Sequence, residues 1–227
     1  MGKHALCRKL GAMDFHFDQD VQTSYDNVAR EYAEKLYGEL AGKPFDRERL
    51  DLFARRVRGG RVCDLGCGPA QIARYLHDRG VDAFGVDLSA GMLAEARRLN
   101  PDLQLVQSSM LALGLRSEVL DGIAAFYCIL HIRREQVACA LAEMRRVLKP
   151  GGLLFITFHI GTDNIHLDEL FGKPVNMEAA FFTTAEVCDR LQAVGFRVEE
   201  ALERDPYAPE IEYQSRRSYI LAVRPTA

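Results

Sequence analysis

From Arg61 onward the chain alternates between two hydrophobic patterns. Short apolar runs read as strands at Arg61–Leu65, Ala83–Asp87, Leu103–Gln107, Leu120–Tyr127, Leu153–His159, Phe196–Leu202 and Ser218–Val223. Between them apolar residues recur at three and four, the helical spacing. Ile72, Ala73 and Leu76 mark a helix over Gln71–Arg79. Met92, Leu93, Ala96 and Leu99 mark another, which Ser89 can cap. Val137, Leu141, Met144 and Leu148 lie on one face of Arg133–Leu148, and Thr183-Thr184-Ala185-Glu186 is a capping box for a further helix that Gly195 stops. Strands alternating with helices predict an α/β fold with a doubly wound, seven-stranded, mostly parallel sheet. The last run alternates apolar and polar positions. Its short link to the run before predicts an antiparallel last strand in an edge pair.

Upstream of the first strand the pattern is helical. Tyr25, Val28, Ala29, Tyr32, Ala33, Leu36 and Tyr37 share a face over Val21–Leu40, and Leu50, Phe53, Ala54 and Val57 share one over Arg47–Val57. Residues 1–20 show no period and read as a mobile tail. Residues 21–227 read as one domain with an N-terminal helical cap (21–58). Residues 160–182 break the rhythm with Gly161, Gly172 and Pro174 among Phe171, Phe181 and Phe182, and read as a lid-like insertion after a strand's carboxyl end.

The chemistry concentrates in Val62-Cys63-Asp64-Leu65-Gly66-Cys67-Gly68-Pro69-Ala70, a strand, a tight glycine turn and then a helix. Such a turn lets a ligand approach bare backbone and unpaired helix N–H groups. The dinucleotide fingerprint needs a third glycine where Gln71 stands, and no P-loop run occurs. Asp64 at the strand end would repel a pyrophosphate and favour a cationic ligand. Phe84-Gly85-Val86-Asp87 ends in an acid about 20 residues past the turn, the spacing of a ribose-binding carboxylate. An acid for an ammonium and another for a ribose diol, with no third glycine, point to S-adenosylmethionine.

With these motifs the chain resembles a class I S-adenosylmethionine-dependent methyltransferase, in the small-molecule, type 11-like branch with a Tyr-Asp-x-x-Ala-x-x-Tyr N-terminal helix. The resemblance runs from Val21 to Arg224 and implies a Rossmann-like sheet. Its third glycine falls on Ala70. It places Tyr25 and Tyr32 near the methionine end of the cofactor, where periodicity alone would make them a core stripe. It assigns Asp64 to the amino-acid end, and Gly66, Cys67 and Gly68 to the close approach. Asp87 takes the ribose, Leu88, Met92, Ser109 and Met110 surround the adenine, and Phe126 lines the sulfonium end. The family often has an acid where Ser109 stands. The product would be S-adenosylhomocysteine.

The implied reaction is in-line methyl transfer, which rests on alignment and exclusion of water. A hydroxyl acceptor usually needs a base, and an amine must bind unprotonated. His159 and His131, at the ends of the fifth and fourth strands, are the candidate catalytic residues. A satisfied structural histidine is the plain alternative for each. Phe126-Tyr127-Cys128-Ile129 replaces the Asn/Asp-Pro-Pro-Tyr run of adenine-N6 enzymes. The expected acceptor is therefore a small molecule, methylated at oxygen ahead of nitrogen, with carbon still open. The alternatives are a non-catalytic cofactor-binding scaffold and, more weakly, an RNA methyltransferase.

Bulk properties add limits. The chain has 227 residues, enough for a sizeable core, and a net charge of −3 that argues against a broad nucleic-acid footprint. Six cysteines form no Cys-x-x-Cys pair, so no metal site is expected and a reducing compartment fits. No signal-peptide core or apolar span is apparent, so the expectation is a cytoplasmic monomer or homodimer with no membrane partner.

Overall fold

The computed structural model describes residues 15–226, with side chains from residue 18 onward. Helix α1 runs Phe15–Leu36, uninterrupted by Gly or Pro, so the tail expected over 1–20 is already helical from Phe15. Residues 1–14 lie outside the described residues. Helix α2 follows at Pro44–Arg56, with proline at its first position, where the missing N–H costs nothing.

All seven expected strands form one sheet. They are β1 (Arg61–Leu65), β2 (Asp82–Asp87), β3 (Leu105–Gln107), β4 (Leu120–Phe126), β5 (Leu148–His159), β8 (Arg197–Arg204) and β9 (Arg217–Val223), in the spatial order β3-β2-β1-β4-β5-β9-β8. The first five pair in parallel, and β9 runs antiparallel to both β5 and β8. Helices α3 (Gln71–His77), α4 (Ala90–Leu99), α5 (Val137–Val147) and α6 (Thr184–Ala193) connect them.

Both sheet faces are covered. On one, Val137, Leu141 and Met144 of α5 and Val187 and Leu191 of α6 pack over Ile123, Leu154 and Ile156. On the other, Leu50 and Phe53 of α2 and Ile72 and Leu76 of α3 pack over Val62, Ala124 and Phe155. The last two strands do form the expected antiparallel edge pair, but the alternation expected of the last strand needs correction. All seven residues of β9 are buried because it sits between β5 and β8, with Ile220 and Ala222 in the first core and Tyr219 and Leu221 in the second. The edge strand is β8, whose burial does alternate.

Strand order reverses between β1 and β4, which makes their carboxyl ends the switch point of the sheet. Above it sit α1 and, within the expected lid-like insertion, a hairpin of β6 (Asn164–Leu170) and β7 (Lys173–Ala180). Leu170 pairs with Lys173, leaving the two-residue loop Phe171-Gly172 at φ 54° and 80°. Both positive angles belong to the hairpin turn whose twist matches the strands. Leu167, Leu170, Val175 and Met177 pack against Val21, Tyr25, Val28, Ala29 and Tyr32 of α1. Polar ties reinforce the contact: Asn176 N–H donates to Ser24 Oγ at 2.9 Å and Asn27 Nδ2 donates to Pro174 O at 2.9 Å. Helix and hairpin therefore form a joined cap over the switch point. Among the described residues no helix is long and apolar enough to cross a membrane.

The hairpin turn can be tested apart from the sheet. Gly172→Ala forces a Cβ into the left-handed region and is expected to cost the hairpin about 1–2 kcal/mol. Hydrogen exchange should speed up in β6 and β7 amides and stay unchanged in β4 and β5.

Candidate active site

A cavity opens at the carboxyl ends of β1, β2 and β4, beneath the cap. The glycine turn forms its floor. Gly66, Gly68 and Ala70 all hold positive φ, at 67°, 51° and 66°. At Gly66 the constraint is absolute, since a Cβ there would lie 2.4 Å from Cys128 Cβ. Ala70 keeps the left-handed conformation that glycine would adopt more readily, and α3 starts directly after it.

Asp87 lines the cavity at the end of β2. Its Oδ2 accepts Gly68 N–H and its Oδ1 accepts Ser89 N–H, both at 2.8 Å. Burial pushes its carboxyl up, while the Ser89 and Gly68 amides pull it back down. Leu88, Met92, Ser109 and Met110 line the cavity beside it, and Ser109 Oγ also accepts the Leu111 N–H at 3.2 Å. Tyr25, Tyr32, Gly66, Gly68, Phe126 and His131 complete the expected residues that the structure brings together.

Three expected residues are elsewhere. Asp64 is 1% exposed, and its Oδ2 accepts Ala73 N–H at 2.8 Å, satisfying an unpaired amide in the first turn of α3. Its neighbours Leu65 and Gly66 reach the cavity and its own side chain does not. Burial pushes its carboxyl up to about 7, opposed by the Ala73 N–H and reinforced by Asp87. Cys67 turns away into a buried cluster with Ala70, Ala73, Leu93 and Ala96. His159 does not line the cavity either. Its Nδ1 meets Ser215 Oγ at 2.6 Å, and its ring stacks on Phe181 with centroids 5.4 Å apart. Burial, then the charges of Arg217 and Lys43, push it down to about 3. Tyr127, which lines the cavity, touches His159 from the other side at 5.1 Å between ring centroids.

His131 is placed differently. It follows β4 on a short 3-10 turn, Ile129–His131. Its Nδ1 lies 3.1 Å from Glu178 O of β7, and its Nε2 lies 2.5 Å from Tyr25 Oη. A carbonyl only accepts, so Nδ1 carries the ring proton and Nε2 accepts from the tyrosine hydroxyl. Burial pushes His131 down to about 4, so the imidazole is neutral near pH 7. Asp18, Val21 and Gln22 also line the cavity and were missed. They continue the Tyr25 and Tyr32 face one and two turns upstream, a signal present in the helical period, although Asp18 falls in the stretch expected as tail.

A profile described as the methyltransferase domain matches residues 63–156, from β1 into β5. That match is consistent with a class I S-adenosylmethionine-dependent methyltransferase. Over 143 residues it is 36% identical to a malonyl-[acyl-carrier protein] O-methyltransferase of Enterobacter lignolyticus, covering 61% of this chain and 53% of that one. Over 140 residues it is 34% identical to a demethylmenaquinone methyltransferase of Beutenbergia cavernae, covering 60% and 57%. The chain thus spans just over half the length of these curated relatives. Among solved structures, a methyltransferase of Methanosarcina mazei superposes with a TM-score of 0.70 at 14% identity, covering 78% of this chain and 98% of that one. DhpI in complex with S-adenosylhomocysteine superposes with a TM-score of 0.72 at 19% identity, covering 93% and 98%. At those identities the likeness establishes the fold of the methyltransferase domain.

Asp64 makes the domain's stability depend on pH. A carboxyl whose folded pKa, about 7, lies above its unfolded value of 3.8 favours folding fully below the lower value. That contribution fades as pH rises through the upper one. Asp64→Asn keeps an acceptor for Ala73 N–H and cannot ionise. Its melting temperature is expected to exceed the parent's at about pH 8.5 and to converge with it only below about pH 3.8, as followed by scanning calorimetry.

Proposed function

We propose that the chain is an enzyme that transfers a methyl group from S-adenosylmethionine to a small-molecule acceptor, at oxygen in preference to nitrogen. The observation that carries this reading is Asp87, a carboxylate in the cavity wall with each oxygen holding one backbone N–H. Each oxygen keeps a further lone pair, which suits a ribose diol. Gly66 and Gly68 expose backbone at the same edge, and Leu88, Met92 and Met110 offer an apolar wall for the adenine. Tyr25, Tyr32, Phe126 and Tyr127 put aromatic faces on the cavity, which favours a sulfonium cation. When bound, this group supplies a methyl already activated by the positive sulfur. The protein's own work is then to hold, align and exclude water.

The preference for oxygen rests on the fate of a proton. Methylating an amine leaves the positive charge on nitrogen and needs no base. Methylating a hydroxyl releases a proton, and His131 offers a neutral imidazole in the cavity wall. We therefore assign the base role to His131 and leave His159 a packing role. A relative named as an O-methyltransferase supports the choice. We read residues 21–227 as one methyltransferase domain, with α1 as cap and the β6–β7 hairpin as lid. That enclosure suits a small acceptor.

Two measurements test the reading. Asp87→Ala is expected to weaken S-adenosylhomocysteine binding by about 100-fold, since hydrogen bonds to a charged group are worth roughly 1.5–3 kcal/mol. Isothermal titration calorimetry reads this directly, with a melting curve as the control for folding. Methyl-tritiated S-adenosylmethionine incubated with a bacterial metabolite extract should label hydroxylated small molecules. Tight cofactor binding with no labelled product would turn the reading to a scaffold.

A further inference from the structure

Both nitrogens of His131 are occupied. Nδ1 gives its proton to the Glu178 carbonyl, and the lone pair on Nε2 is taken by the Tyr25 hydroxyl at 2.5 Å. An acceptor hydroxyl in the cavity therefore finds the Tyr25 hydroxyl and no free nitrogen of His131. Tyr25 Oη donates to His131 and has no other hydrogen bond among the described residues, so its lone pairs remain for an incoming hydroxyl. The rings are locked in this relation, edge to face with centroids 5.1 Å apart, and Tyr32 braces Tyr25 from the other side at 5.9 Å.

We infer that Tyr25 is a catalytic residue of the transfer, relaying the acceptor's proton to His131, and that it is not primarily a cofactor contact. The inference rests on the methyl-transfer reading above. In the step, an electron pair of the acceptor oxygen closes on the methyl carbon while the carbon–sulfur pair returns to sulfur. The acceptor's proton passes to Tyr25 Oη, and Tyr25's own proton passes to His131 Nε2. Tyr25 ends neutral, as it began. The sulfonium charge disappears as the imidazolium charge appears, so the site holds one positive charge throughout. The new cation keeps its Nδ1–H on the Glu178 carbonyl, a charge-assisted bond stronger than the one it replaces.

The relay also gives the hairpin a chemical role. Glu178 lies on β7, and its carbonyl selects the ring tautomer with an unprotonated Nε2. Among the described residues, only β7 gives His131 a partner that makes this choice. His131 is thus the final proton acceptor, reached through Tyr25, and the backbone of the hairpin orients it in turn.

The test uses the full chain and the variants Tyr25→Phe, His131→Asn and the double substitution. Tyr25→Phe keeps the ring and its packing and removes only the hydroxyl. The first readout needs no activity. In 15N-histidine NMR, His131 of the parent should show a protonated Nδ1 and a hydrogen-bonded Nε2, and Tyr25→Phe should move the Nε2 resonance toward that of a free imine nitrogen. A protonated Nε2 in the parent, or an unmoved resonance in the variant, overturns the relay. The second readout is the initial rate of tritiated-methyl transfer into the metabolite extract, set against calorimetric affinity for S-adenosylhomocysteine. A positioned proton acceptor is worth about 10²–10⁴ in rate. Tyr25→Phe is expected to lose about 100-fold or more in rate while its affinity for S-adenosylhomocysteine changes by less than about twofold. The double variant should be no slower than His131→Asn, because both residues serve one proton path. Additive losses, or a parent-like rate for Tyr25→Phe, overturn the relay while the methyl-transfer reading stands. A parent that binds cofactor but labels nothing overturns the methyl-transfer reading and the relay with it.

Discussion

Asp87 accepts two amide protons at 2.8 Å, one from Gly68 and one from Ser89, and through them joins the turn after β1 to the start of α4. Neither amide has a partner in the sheet, so without the carboxylate both would be unpaired at the edge of the cavity. The tie continues outward. Ser89 Oγ accepts Met92 N–H at 3.0 Å and donates to Asp26 Oδ1 at 2.6 Å, and Asp26 lies on α1. One buried acid thus reaches the glycine turn, the second helix of the sheet and the cap. Its burial carries a cost, visible as a raised carboxyl pKa, and the backbone donors that offset it are the groups the site needs held still.

The strands were legible because a parallel strand covered on both faces is apolar along its whole length, and such runs stand out from amphipathic helices. The hairpin was not, since β6 mixes Ile165 and Leu167 with His166, Asp168 and Glu169, and its turn pairs Gly172 with a phenylalanine. The full burial of β9 has the same origin, because pairing partners across a sheet are long-range and leave no local trace. In the site, residue type was informative and direction was not. Asp64 and Asp87 both end strands as acids, yet Asp64 turns back onto the first turn of α3 and Asp87 faces the cavity. Likewise His131 and His159 both follow a strand's carboxyl end. Only the 3-10 turn after β4 carries one of them to the cavity.

Tyr127 shows what holds the far wall. It sits at φ 50°, uncommon for a bulky residue, in the position directly after β4. Its N–H donates to Thr157 O at 3.0 Å, and its hydroxyl lies 3.2 Å from Tyr219 Oη and 3.4 Å from Asp46 Oδ1. Asp46 belongs to a buried ion network. Arg204 Nη2 reaches Asp46 at 2.9 Å, and Arg204 and Arg217 both reach Glu212. Paired in this way the charges contribute little net stability, yet removing any one would strand another in the interior. The network is better understood as a rigid mount for Tyr127, whose strain must be borne by its surroundings.

A neutral, poorly basic histidine is an awkward general base in isolation, because burial resists any new cation. The objection holds only if the imidazolium is an extra charge. In a site that already contains a sulfonium, methyl transfer cancels one positive charge as proton transfer creates another, a short distance away in the same low-dielectric cavity. The electrostatic cost is then one of relocation, and Asp87 remains in the wall of that cavity throughout. In the proposed reaction, depression of His131 would serve cofactor entry as well: a protonated imidazole would repel the cationic cofactor, and burial would remove that repulsion before binding. In the proposed reaction the same desolvation that weakens the base would admit the donor, and the chemistry that consumes the donor's charge would restore the strength of the base.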